Sequence, residues 1–141
     1  MLFPNYNFKE LEPQILDYWK SKKILDKKRK KNSKGPKFYF LEGPPYTSGN
    51  IHLAHAWNMA LKDMLLRYKR MRGFKVWDRM GYDMHGLPTE QKVMAKLNLK
   101  DKQDIEKFGL QKFQQECRKF CLEMMEKMNE DFIRIGSTLD F

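Results

Sequence analysis

Two cysteines in 141 residues leave no room for a disulfide framework. Cys117 and Cys121 stand four apart, which fits neither a Cys-x-x-Cys redox pair nor a zinc ribbon, and both read as small apolar packing residues on a helix. Long apolar runs are missing as well. The longest, Phe38 to Leu41, falls far short of the roughly 20 residues a membrane span needs, so no transmembrane helix is expected. The opening stretch from Met1 to Asn7 lacks a basic start followed by an apolar segment, so no signal peptide is expected and a soluble, cytoplasmic protein is the default. Acidic residues are nearly absent from one stretch. Residues 20–37 hold ten Lys or Arg against the single acid Asp26, so almost all of the net charge of +10 sits there and the remainder is close to neutral. A run of this kind reads first as a solvated loop. A polyanion such as RNA is the partner that would suit it, because phosphate neutralisation releases counterions. What is left, at 41% hydrophobic, suffices for the core of one small domain.

Apolar positions Phe8, Leu11, Ile15, Leu16, Trp19 and Ile24 keep helical spacing and predict a helix over 8–25, with Pro13 delaying or bending its start. The lysine-rich stretch then ends in Ser33-Lys34-Gly35-Pro36, a breaker cluster. Lys37 to Leu41 predicts a buried strand, and Glu42 to Asn50, rich in Gly and Pro, a loop. From His52 to Met71 the positions Leu53, Trp57, Ala60, Leu61, Met64, Leu65 and Tyr68 predict a second helix, closed by Arg72 and by Gly73 as its C′ residue. Phe74 to Trp77 predicts a second strand, and Asp78 to Pro88 a second loop. Strand, loop, helix, strand is a βαβ unit and implies a parallel sheet with a right-handed crossover. The remainder reads as helical, interrupted at Gly109, with a long final helix from Leu110 to Ile133. Its stripe of Phe113, Cys117, Phe120, Cys121, Met124, Met128 and Phe132 is a core or partner-helix face.

Glycines and polar residues collect after both strands, at the sheet edge where open α/β folds bind ligands. All three histidines are there: His52 and His55 in the first connection, His85 in the second. Spaced i, i+3 at a helix start, His52 and His55 project from one face of the first turn, where free N–H groups and the positive dipole end suit a phosphate. Two imidazoles there could also donate to charge developing on a phosphoryl group. A zinc site completed by His85 and Asp83 is the alternative use of the same residues. Asp83 could pair with a ligand amine or with Arg79, or simply sit on a surface loop. Arg70 and Arg72 read as solvent-facing residues complementing the helix C-terminus.

The runs Gly43-Pro44-Pro45-Tyr46, His52-Leu53-Ala54-His55 and Gly81-Tyr82-Asp83-Met84-His85-Gly86-Leu87-Pro88-Thr89-Glu90 resemble the N-terminal half of the catalytic domain of class I aminoacyl-tRNA synthetases. Within that class the third run is most similar to the isoleucine-specific members. The resemblance covers nearly the whole chain, from the helix holding Trp19 to Gly136-Ser137-Thr138-Leu139-Asp140-Phe141.

The resemblance implies an α/β fold: the N-terminal half of a Rossmann-like nucleotide-binding domain over residues 37–141, preceded by a helix and lysine-rich loop over 1–36. It implies activation of isoleucine by Mg2+-ATP to the aminoacyl-adenylate and transfer to tRNA, with no protein-bound metal. His52 and His55 match the two signature histidines that bind ATP and stabilise the transition state, with Ala54 between them. Gly43 and Pro44 match residues lining the amino-acid pocket, and Asp83 matches the residue holding the substrate ammonium. Three departures stand out. The signature glycine is Ala54 here, Tyr82 occupies a position where tryptophan is usual, and the second ATP signature, Lys-Met-Ser-Lys-Ser, is missing. The chain therefore reads as half of an active site, completed elsewhere or by a second polypeptide. Rival readings are a non-catalytic nucleotide- or RNA-binding module and a piece of a split synthetase, with valyl or leucyl specificity less well matched.

Overall fold

Residues 7–141 are described by the structure, a computed structural model; most of the Met1–Asn7 segment read above lies outside them. Asn7 caps the first helix, α1 (Phe8–Ser21), by accepting the Lys9 N–H at 3.1 Å. Pro13 lies within α1 and does not delay its start. The single helix expected over 8–25 is instead two. Lys23 takes a left-handed conformation (φ +49°), which ends one helical path and opens another, α2 (Ile24–Lys31). The predicted lysine loop is thus largely helical. Lysine is a good helix former, and α2 is also held from one side by tertiary bonds: the Lys28 ammonium contacts the Asp78 carboxylate at 3.6 Å and donates to the Thr138 carbonyl, while Arg29 pairs with Asp140. Beyond its end, Asn32 Nδ2 donates to the carbonyls of Arg70 (2.7 Å) and Phe74 (3.1 Å).

Two short strands, β1 (Lys37–Tyr39) and β2 (Lys75–Trp77), pair in parallel with Phe38 opposite Val76. The helix α3 (Leu53–Met71) crosses between them, so the βαβ unit read from the sequence is present. Gly73 ends α3 at φ +86°, as expected of a C′ residue. Gly35 lies so close to the Gly73 carbonyl that any Cβ there would overlap it, which fixes glycine at the entry to β1. The strand expected to be buried from 37 to 41 is not. Phe38 and Val76 turn inward, Tyr39 and Trp77 outward, and Leu41 is 90% exposed, because only one face of this sheet is covered.

The core forms where Met59 and Leu66 of α3 meet Met80, Leu139 and two residues of the long helix α6 (Leu110–Arg134), Met128 and Phe132, with Phe38, Phe40, Ile51, Val76 and Tyr82 packed on its margin. Helices α4 (Leu87–Lys96) and α5 (Lys102–Phe108) lie against α6. The α6 stripe is inward as expected, with Phe113, Cys121, Met128 and Phe132 buried. The α3 stripe is not. Leu53, Trp57, Ala60, Leu61, Met64, Leu65 and Tyr68 are all exposed, and the buried positions are Met59, Asp63 and Leu66. Asp63 tolerates burial because Arg67 (2.8 Å) and the Thr138 hydroxyl satisfy its carboxylate. Arg70, expected in solvent, is also half-buried and paired with Asp78.

Candidate active site

Both glycine-rich connections leave the carboxyl ends of the strands, and backbone hydrogen bonds join them. The Asp83 N–H donates to the Pro45 carbonyl at 2.9 Å, and the Asp83 carbonyl accepts from the Thr47 N–H at 3.1 Å. Gly81 approaches Pro44, and the Tyr82 hydroxyl bonds Asn129 on α6. The second loop is therefore anchored on one side to the first loop and on the other to the core helix. The Asp83 carboxylate accepts the His85 N–H at 3.3 Å, and its charge and hydrogen bond raise the Tyr46 phenol above its ordinary range. Among the described residues it makes no pair with Arg79, whose backbone instead bridges Asp140.

His52 is the N-cap of α3 and His55 sits at its third position. The His52 N–H donates to His55 Nδ1 at 3.3 Å, so one otherwise free donor of the helix start is satisfied. Because Nδ1 accepts, the ring proton of neutral His55 lies on Nε2 and is available to a ligand. The two rings stack with centroids 3.9 Å apart. Partial burial, the neighbouring His52 and then Lys62 all push the His55 pKa below its ordinary value. His52 and Ala54 are exposed, as are Gly43 and Pro44, and Asp83 is half-buried. Among the described residues no three His, Cys, Asp or Glu side chains converge in metal-binding geometry, so His85 and Asp83 do not complete a zinc site with His52 and His55.

Sequence reading passed over one pair. Glu42, the residue before Gly43, is buried and ion-paired with Lys62 of α3, and its Oε2 has no hydrogen-bond partner among the described residues. That pair borders a cavity of about 20 Å3 shared with Gly43, Pro45 and His55. The signal was present: His55, Met59 and Lys62 follow i, i+4, i+7 and share one helix face. A much larger cavity, about 920 Å3, lies elsewhere, among α4, α5 and α6, and includes His85 but neither His52 nor His55.

The family model for tRNA synthetases class I (I, L, M and V) matches residues 14–141. The chain belongs to this family. Isoleucine–tRNA ligase of Methanoregula boonei is 46% identical to this synthetase chain over 137 residues, covering 97% of it. That of Pyrococcus furiosus is 46% identical over 140 residues, covering 99%. The chain spans only 13% of the length of these curated relatives. Among solved structures, a ternary complex of LeuRS from Agrobacterium radiobacter K84 with tRNA and LeuAMS superposes with a TM-score of 0.71 at 28% identity, covering 97% of this chain and 15% of that one.

Proposed function

We propose that the chain supplies the first half of an isoleucyl-adenylate site: residues 37–141 as the N-terminal half of a Rossmann-like catalytic domain, with residues 1–36 as a leading segment. In this reading Mg2+-ATP binds over the start of α3. Free N–H groups there, with His52 and His55 Nε2–H, meet the charge that develops on the α-phosphate as the isoleucine carboxylate attacks and pyrophosphate leaves. The contribution of the chain is positioning and charge stabilisation, which is most of what phosphoryl-type transfer needs. Gly43 and Pro44 line the amino-acid pocket, and the Asp83 carboxylate takes the substrate ammonium, with tRNA as the final acceptor. Ala54 stands where the family signature has glycine.

The observation that supports this reading is the backbone bridge between the Pro45–Thr47 and Asp83 segments, which joins the connection leading into His52 and His55 to the connection holding Asp83. Identity of 46% to isoleucine–tRNA ligases, against 28% to the LeuRS structure, supports isoleucine as the substrate. The exposed stripe of α3 supports a site completed by further polypeptide, in the same chain or a second one. The test is isoleucine-dependent ATP–pyrophosphate exchange by this chain fused in place of the matching segment of the Pyrococcus furiosus relative. Exchange should favour isoleucine over valine, leucine and methionine and fall about 100-fold or more with His52→Ala and His55→Ala, the usual scale for losing transition-state donors. Exchange indifferent to both histidines would overturn the assignment. The chain by itself should charge no tRNA above the double-alanine control.

A further inference from the structure

The fold uses two of the ten cations in residues 20–37. Lys28 and Arg29 hold α2 against Asp78, Thr138 and Asp140. The other eight, Lys20, Lys22, Lys23, Lys27, Lys30, Lys31, Lys34 and Lys37, are exposed and make no ion pair among the described residues. At about 100° per residue, Lys27, Lys30 and Lys31 of α2 fall on one face, opposite the side where Leu25, Lys28 and Asn32 pack inward. Like charges at i and i+4, as in Lys27–Lys31, work against a helix. The protein therefore maintains a repulsive array that stabilises nothing within the described chain.

We propose that this outer face of α2 is a docking surface for the phosphate backbone of RNA, separate from the adenylate site. The idea rests on the reading of the chain as part of a tRNA-charging enzyme. Lysine ammonium groups neutralise phosphates as mobile point charges without reading sequence. The face carries no large apolar side chain, so it lacks what an interfacial membrane helix inserts; Ile24 and Leu25 are both partly buried. Asn32 fixes α2 to the C-terminal end of α3, whereas His52 and His55 stand at its N-terminal end, roughly 25 Å away along a helix rising about 1.5 Å per residue. Contact here engages the body of an RNA while the other end of α3 faces the reacting groups.

The experiment measures binding of a tRNA transcript to the chain by fluorescence anisotropy from 50 to 300 mM salt. The variants are Lys27→Gln, Lys30→Gln and Lys31→Gln combined, the same three positions changed to Arg, and a charge-matched control of Lys112→Gln, Lys119→Gln and Lys127→Gln. The α2 glutamine variant should bind at least 10-fold more weakly at 100 mM salt, with a log–log salt slope flatter by about three. The arginine variant and the control should bind as the parent chain does, with all circular dichroism spectra unchanged. Equal losses in control and α2 variants would make net charge the sole cause and overturn the proposal. So would loss of binding to phosphatidylserine vesicles with RNA binding intact. His52→Ala with His55→Ala should leave RNA affinity unchanged, so failure of the adenylate reading and failure of this one give different results.

Discussion

His55 holds a ring that is neutral and singly directed near neutral pH. Burial, His52 and Lys62 lower its pKa, so the folded chain takes up its proton at lower pH than the unfolded chain does. Between that lowered value and the ordinary value near 6.5, the unfolded state binds more protons, so stability rises with pH through this window and falls as the medium is acidified. Protonation also removes Nδ1 as the acceptor of the His52 N–H. NMR titration of the imidazole C–H signals should show His55 titrating below 6.5, and His52→Ala should move it upward. An unshifted His55 would contradict the stacked geometry. In the sequence, His52 and His55 stand out by their spacing at a helix start, whereas Gly43, Pro44 and Asp83 are singled out only by the family resemblance. Glu42 was not, since its burial depends on where α3 lands relative to the first loop.

The helix α2 owes its place to Lys28. Burial lowers this ammonium to about 8 in spite of the Asp78 carboxylate, which acts to raise it. Above pH 8 the folded chain gives up this proton while the unfolded chain keeps it to about 10.5, so the Lys28 contribution to stability increases with pH across that window. Denaturant unfolding of the parent chain and of Lys28→Met at pH 7.5, 9 and 10 should therefore show the difference between them shifting in favour of the parent as pH rises. A difference constant with pH would contradict the buried placement. Element types were legible from periodicity, as in the α6 stripe and the βαβ order. The break at Lys23 was not, because no glycine or proline marks it, and the helical state of the lysine run depends on tertiary bonds to Asp78, Thr138 and Asp140 that local spacing does not show. The α3 stripe was visible as apolar, but its direction was not: a helix with Met59 and Leu66 on one side and Trp57, Leu61 and Met64 on another has two apolar faces, and only one meets α6.

At the scale of the molecule, that second apolar face is the feature a small protein does not ordinarily leave in water. Trp57 is 67% exposed, Met64 64% and Leu61 53%. Sedimentation of the chain should show concentration-dependent self-association, and Leu61→Lys with Met64→Lys should shift it toward monomer without loss of helicity. A monomeric parent chain at tens of micromolar would count against an uncovered face. In the other direction, Phe132→Ala should cost about 3–5 kcal/mol, because it empties the centre of the core shared by α3, α6 and Leu139.

The central claim is that three motifs from two connections make one half-site for isoleucyl-adenylate. Its most direct test is calorimetric binding of a non-hydrolysable isoleucyl-adenylate analogue to the chimera that carries this chain in place of the matching Pyrococcus furiosus segment, beside the valyl and leucyl analogues. The isoleucyl analogue should bind tightest, the valyl analogue within the roughly 10–200-fold that one methylene is worth, and Asp83→Asn should weaken all three. Equal affinity for the three, or binding untouched by Asp83→Asn and by His52→Ala with His55→Ala, would contradict the account.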